Sequence, residues 1–411
     1  MSSWQKISLG ELEYPEKGSF FMGPFGSNLK AAWFQDSGIP VLRGKNLAGI
    51  SVSDENLTFI SSEKIGPLYR SVARRGDLVV THRGTIGQVS IIPPTSAFEE
   101  YLVSQSQLKL TLNQKRVNPL FLAYWFHSPL GQHELLSFSS QTGVPAIAQP
   151  LSNIRKISIN LPSLSEQQEI ATTLGALDDK IESNGQIIRL AEELIQTRFD
   201  ELFDVDLVEN GVPISALIRI NPRRTLMKGK SSVYVAMASL PENLSSIYEW
   251  QRESFRGGAK FVNGDVLMAR ITPSLENGKT AIVNMLEDDE VGWGSTEFIV
   301  LSPNNNYSTP WIYALIRNVK IRDWAIKRMN GSSGRQRFNG NDFATYKISE
   351  PKTSHLDKFN ALAIPLNERI TQARDETLKL IALRDTLLPE LMSGRIRVPE
   401  AMEAIDQDIE Q

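Results

Sequence analysis

The chain has 411 residues, of which 41% are hydrophobic, 8% aromatic and 22% charged, the balance of an ordinary globular protein of two or three domains at about 100 to 200 residues each. It carries 44 Lys plus Arg against 47 Asp plus Glu and no Cys, which excludes disulfides, thiolate zinc sites, iron–sulfur clusters and cysteine nucleophiles and leaves stability to packing. Met1-Ser2-Ser3-Trp4-Gln5-Lys6 shows no basic segment leading into an apolar run, and no stretch reaches 18 apolar residues, so neither export nor membrane spanning is encoded and a cytoplasmic location is expected.

The first block, residues 1–162, is mildly basic and mixed in secondary structure. Gly76-Asp77-Leu78-Val79-Val80-Thr81 reads as a turn running into an apolar strand. Val89-Ser90-Ile91-Ile92 and Gln107-Leu108-Lys109-Leu110-Thr111-Leu112 read as further strands. Pro119 to Phe126 opens a short helix, with proline tolerated in the first turn. Gln141-Thr142-Gly143 then precedes Ile154-Arg155-Lys156-Ile157-Ser158-Ile159, and the block ends at Pro162.

Residues 163–204 are acidic and carry a heptad-like seam: Ile170, Leu174, Leu177, Ile181, Asn184, Ile188, Ala191, Ile195, Arg198 and Leu202 alternate steps of four and three. The second block, 205–352, repeats the landmarks of the first. Gly264-Asp265-Val266-Leu267-Met268-Ala269 matches Gly76 to Thr81, and each is followed by a basic residue, Arg270 and Arg83. Ala281-Ile282-Val283 and Phe298-Ile299-Val300-Leu301 read as strands, and Pro310 to Ile316 as a short helix. Ser333-Gly334-Arg335-Gln336-Arg337 precedes Tyr346-Lys347-Ile348-Ser349, and Pro351 closes the block. Residues 353–396 then repeat the heptad-like seam at one constant offset: Phe359, Ala363, Leu366, Ile370, Ala373, Thr377, Leu380, Arg384, Leu387 and Leu391. Pro365 and Pro389 interrupt this second pattern and place its regular body between them. Asn184, Arg198, Thr377 and Arg384 are either register-setting positions or simply solvent-facing. An acidic tail, 397–411, follows. The chain is thus a duplication of block and helix, an α+β or mixed α/β architecture.

Catalytic constellations are missing. Gly38 to Gly44 followed by Lys45 has five intervening residues, not the four of a phosphate-binding loop, and Asn46 stands where Ser or Thr belongs. Asn118-Pro119-Leu120-Phe121 resembles the Asn-Pro-Pro-aromatic signature of amino-methyltransferases but lacks the second proline and any glycine-rich cofactor strand before it. His82, His127, His133 and His355 show no metal-ligand spacing, and no clustered carboxylates suggest a nuclease metal site. The sharpest basic cluster, Arg317, Lys320, Arg322, Lys327, Arg328, Arg335, Arg337 and Lys347, reads by itself as a solvated face. The chain reads as a binder and not as an enzyme.

Gly23-Pro24-Phe25-Gly26-Ser27-Asn28-Leu29, Gly38-Ile39-Pro40-Val41-Leu42-Arg43 and Gly76-Asp77-Leu78 with Gly84-Thr85-Ile86-Gly87 resemble a target recognition domain of type I restriction-modification specificity subunits. Leu161-Pro162-Ser163-Leu164-Ser165-Glu166-Gln167-Gln168-Glu169-Ile170 resembles the start of that family's central helix. Leu383-Arg384-Asp385-Thr386-Leu387-Leu388-Pro389-Glu390-Leu391-Met392-Ser393-Gly394-Arg395-Ile396 is similar to its final one. In the second half Ile271-Thr272-Pro273-Ser274 replaces the Gly-Thr-Ile-Gly turn, and no Gly-Pro-Phe-Gly-Ser string recurs.

The resemblance implies two similar target recognition domains joined by two long antiparallel coiled-coil helices in a pseudo-twofold arrangement. It implies a bipartite, asymmetric double-stranded DNA target and two methyltransferase subunits that bind S-adenosylmethionine and methylate adenine N6. Motor-nuclease restriction subunits using ATP and Mg complete the complex, and this chain binds no cofactor or metal itself. A helix of about 36 residues is about 54 Å long, enough to hold two readers one DNA turn of about 34 Å apart. Candidates for base reading are Arg43, Arg83, Gln141 and Gln149 in the first block, and Arg270, Arg335, Gln336, Arg337 and Asn339 in the second, with Lys45, Thr85, Thr142 and Thr272 beside them. For each the alternative is a phosphate contact or a solvated position. Two other functions remain open, a self-sufficient modification enzyme and a coiled-coil adaptor whose blocks bind proteins.

Overall fold

The computed structural model describes residues 4–25, 29–140, 143–304, 306–332 and 334–402. The tail expected at 397–411 lies outside the described residues from 403 on. The chain forms two units: Met1–Asp178 with Ile381–Gln411, and Asp179–Leu380. Helices Leu164–Leu202 and Thr353–Ser393 each contribute part of their length to both.

In the first unit an antiparallel sheet runs in the order Phe20–Met22, Gln107–Leu110, Leu78–Thr81, Val89–Ile91. A second sheet runs Phe34–Gln35, Thr58–Ile60, Ile39–Leu42, Glu100–Val103, Val72–Arg74, with Ile39–Leu42 and Glu100–Val103 parallel. The second unit repeats this plan. Its first sheet runs Arg219–Ile220, Phe298–Ser302, Val266–Ala269, Thr280–Ile282. Its second runs Gln251–Ser254, Ser231–Val235, Gly292–Gly294, Ala259–Phe261, with Ser231–Val235 and Gly292–Gly294 parallel. The strands are apolar because both faces are covered, and every residue of Leu78–Thr81 and Val266–Ala269 is buried.

The repeated Gly-Asp pair has a local cause. Asp77 accepts a hydrogen bond from the Arg74 amide at 2.8 Å, and Asp265 accepts one from the Val262 amide at 2.9 Å. Each closes a turn whose glycine, Gly76 or Gly264, sits at φ 88°, a conformation that costs glycine nothing.

Within the first unit the two long helices run antiparallel, since Asp178 meets Arg384 while Glu166 meets Arg397. Ile170, Leu174, Leu177, Leu387 and Leu391 are buried there. Gln167 is fully buried. Its Oε1 accepts from the Asn118 amide at 2.8 Å and its Nε2 donates to the Pro162 carbonyl at 2.9 Å, docking the start of the helix onto helix Pro119–His127. In the second unit Ile188, Ile195, Phe199, Phe359, Ala363, Ile370 and Ala373 share one core with Trp311 and Phe203, and Leu380 is buried as well. Ile181, Leu202 and Leu366 are only partly covered.

Of the four polar seam positions, two reach across. The Asn184 Nδ2 donates to Glu376 at 2.8 Å, and Arg384 pairs with Asp178 at 2.7 Å. Thr377 donates back to the Ala373 carbonyl of its own helix, and Arg198 pairs with Glu201 one turn on. One expectation is corrected: Pro365 and Pro389 do not bound the second helix, which continues through both. Ala361 and Asp385, four residues before each proline, are exposed, so the carbonyls that the missing N–H groups leave open are on the hydrated side.

Candidate nucleic-acid interface

Each unit builds one wall from a turn and a hairpin. In the first, strand Leu78–Thr81 runs into a turn where the His82 amide donates to the Ser106 carbonyl at 2.9 Å and the Gly84 amide to Pro145 at 2.9 Å. The His82 carbonyl accepts from Ile147 at 2.8 Å, seating hairpin Ser139–Ser140 and Ala146–Ile147 against the turn. Arg83, Thr85 and Gln149 are therefore brought together, all exposed. Gln149 adopts φ 41°, ψ 57° directly before helix Pro150–Lys156, a left-handed conformation that costs a non-glycine residue on the order of 1 kcal/mol. Gln141 and Thr142 lie outside the described residues.

Arg43 and Lys45 stand on the short turn Gly44–Asn46, joined to the same wall through Gln88. Its Nε2 donates to the Gly44 carbonyl at 3.0 Å, and its Oε1 accepts from Thr81 at 3.1 Å. The Arg43 guanidinium lies 4.7 Å from the Phe34 ring centroid, and Lys45 donates to the Asn56 carbonyl at 2.6 Å. Burial holds the His82 imidazole below its ordinary pKa.

In the second unit Arg270 donates its amide to the Glu297 carbonyl at 3.0 Å and accepts from Phe338 at 2.7 Å. Thr272 and Gln336 exchange two bonds at 3.1 Å, Thr272 donating its amide to the Gln336 carbonyl and accepting from the Gln336 amide at its hydroxyl. Asn330 and Arg337 close the hairpin. Arg270, Thr272, Arg335, Gln336 and Arg337 thus come together, with Arg335 and Arg337 exposed. Asn339 is used differently: its Oδ1 accepts from the Asn341 amide at 3.0 Å and caps helix Gly340–Ala344.

The backbone pattern keeps the register in which Gly76–Thr81 matches Gly264–Ala269. Arg270 occupies the place of His82, not of Arg83, and Arg83 corresponds to Ile271.

Sequence reasoning missed Glu297. Its carboxylate pairs with Arg337 at 2.7 Å and Arg270 at 3.5 Å, and raises the Arg337 pKa. It lies far from both arginines in sequence, so no local pattern marks it. Also missed was an open cleft of about 720 Å³ lined by Arg223, Arg224, Lys260 and Arg270, where Arg224 is held by the buried Asp265 at 2.6 Å. The basic cluster read from sequence is partly engaged: Lys320 pairs with Asp206 at 2.7 Å, and Arg328 stacks 4.3 Å from the Trp324 ring centroid. Among the described residues no group of three or more His, Asp or Glu is placed to hold a metal, and no helix is long and apolar enough to cross a membrane.

Residues 38–193 match the family described as the type I restriction modification DNA specificity domain. The type I restriction enzyme MjaIX specificity subunit of Methanocaldococcus jannaschii is 23% identical over 91% of this chain and 90% of its own. The EcoEI specificity subunit of Escherichia coli is 24% identical over 52% of this chain, a match that spans 36% of that relative's length. The solved S subunit of the type I restriction-modification system from M. genitalium shares the fold, with a TM-score of 0.60 at 16% identity over 94% of this chain and 96% of that one.

Proposed function

We infer that this chain is the DNA-specificity subunit of a type I restriction-modification system, a protein without catalysis of its own that tells a DNA-modifying complex where to act. The observation that carries this reading is the repetition of one scaffold with two unlike faces. Turn and hairpin meet through matching backbone hydrogen bonds in both units, yet the side chains presented differ: Arg83, Thr85 and Gln149 on one, Arg270, Arg335 and Arg337 on the other. A scaffold kept in duplicate with its exposed side chains changed suits a target with two different halves. Arginine meets guanine through two hydrogen bonds, glutamine meets adenine likewise, and such pairs discriminate between bases where phosphate contacts only position the protein.

In this reading each unit reads one half of a bipartite, asymmetric double-stranded DNA sequence, and the length of the two long helices governs the unspecified stretch between the halves. The first of these helices is strongly acidic, unsuited to DNA and suited to protein, so two methyltransferase subunits dock on the helix pair and bring S-adenosylmethionine for adenine N6 methylation. Motor-nuclease subunits using ATP and Mg complete the restriction form, and this chain binds none of those cofactors.

The test is methylation mapping of the host genome with and without this gene. One bipartite adenine motif should vanish on deletion, and removing one heptad from 166–203 should shorten its unspecified spacer while both halves stay the same. Methyl transfer by the purified chain alone, or no sequence-selective DNA retention in the presence of the methyltransferase, would overturn the reading.

A further inference from the structure

Glu297 stands in a surface assigned to a polyanion, and there it engages two cations. Its Oε1 takes the Arg337 Nη2 at 2.7 Å and Nε at 2.9 Å, while its Oε2 takes the same Nε at 3.0 Å and the Arg270 Nε at 3.5 Å. A carboxylate here weakens attraction for every approaching phosphate. The fold does not require it. At the corresponding place in the first unit the same backbone ladder is built with His82, Ser106 and Ala146 where Arg270, Glu297 and Arg337 stand, with no ion pair among them.

The geometry of the pair suggests what it is for. An arginine has two edges that can form paired hydrogen bonds, Nε with Nη2 along the side and Nη1 with Nη2 at the end. Glu297 occupies the side edge. Among the described residues the Nη1 end makes one long contact, 3.5 Å to the Arg335 carbonyl, and the side chain is 43% exposed. A guanidinium tethered by one edge cannot swing toward whichever phosphate is nearest, and its other edge matches the O6 and N7 acceptors of guanine in the major groove.

We propose that Glu297 is a positioning residue that locks Arg337 so that its end edge reads a guanine in the half-site assigned to the second unit. The inference rests on the DNA-reading function above and deepens it by naming a base. Glu297 gives up some affinity for any DNA in exchange for discrimination at one position.

The experiment uses the assembled complex with its methyltransferase and a cognate duplex in which each guanine of that half-site is replaced in turn by 7-deazaguanine, which lacks the N7 acceptor. The unaltered complex should bind about 10-fold more weakly at one such position. Glu297→Gln should bind the cognate duplex about 10-fold more weakly, become indifferent to 7-deazaguanine at that position, and bind random duplex at least as tightly as before. Arg337→Lys, which keeps the charge but loses the paired edge, should show the same indifference, and thermal melting of both variants separates a folding defect from a reading defect. If Glu297→Gln keeps the full 7-deazaguanine penalty, or weakens cognate and random duplexes by one common factor, the proposal is wrong. An unaltered complex indifferent to DNA sequence would instead remove the reading on which it stands.

Discussion

Arg384, near the end of the second long helix, meets Asp178, in the middle of the first, at 2.7 Å, and both side chains are about three-quarters buried. The Tyr124 hydroxyl donates to the other oxygen of the same carboxylate at 2.6 Å. Asp178 therefore ties a helix of the globular part to the helix pair, and the Arg384 position reads as a break in an apolar seam only when its partner is unknown.

Removing that carboxylate leaves a largely buried guanidinium with only the exposed Asp385 carboxylate, at 2.8 Å, as its ionic partner. Asp178→Ala should cost about 2–4 kcal/mol, seen as a lower urea midpoint with an unchanged slope, and Asp178→Asn, which keeps an acceptor, should cost less. A midpoint unmoved by Asp178→Ala would mean the pair is solvated.

Gln167 satisfies the Asn118 amide and the Pro162 carbonyl inside the first unit. Gln167→Ala should destabilise the protein by about 2 kcal/mol, because the buried Pro162 carbonyl and the partly buried Asn118 amide both lose their partner. Thermal unfolding measures the loss.

Arg374 is the buried cation of the second unit, 1% exposed, donating to the Asn284 side chain at 2.8 Å, to the Asn284 carbonyl at 3.0 Å and to the Ile247 carbonyl at 3.3 Å. Arg374→Ala should cost about 3 kcal/mol. Hydrogen exchange should rise around residues 247 and 284 and stay unchanged in strand Leu78–Thr81.

Glu192 accepts from the Ser245 amide and hydroxyl, each at 2.6 Å, yet burial outweighs those bonds and pushes its carboxyl above the usual value of 4.5. A raised carboxyl contributes its stability below the unfolded value and loses it as pH rises through the folded one. Glu192→Gln should therefore gain stability relative to the parent as pH climbs from about 4.5 toward 8. Paired melts across that range check the sign.

Arg335 is exposed and lies beside Arg337 without the Glu297 tether. Arg335→Ala should weaken all duplexes alike and reduce the salt dependence of binding by about one unit of log–log slope. Loss confined to one base position would instead make Arg335 a reader in its own right.

The duplicated helices were legible because a buried face repeats every three to four residues, and the Gly-Asp pairs were legible because a left-handed turn narrows the choice of residue. The pairing of Ile39–Leu42 with Glu100–Val103 in parallel was not, since strand partners distant in sequence leave no periodic trace. Glu297 was invisible for the same reason: its two arginines come from a strand end and a hairpin that only folding brings beside it.

The first unit is assembled from two separated stretches, 1–178 and 381 onward, whereas the second is one unbroken stretch, 179–380. On the ribosome the unit begun first is therefore the one completed last: Asp178, Glu166 and Trp4 must wait for Arg384 and Arg397, whose guanidinium lies 5.8 Å from the Trp4 ring centroid. A nascent chain halted before residue 381 would carry a finished second unit and a first one with its helix face uncovered, and so would invite chaperones or self-association until synthesis resumed.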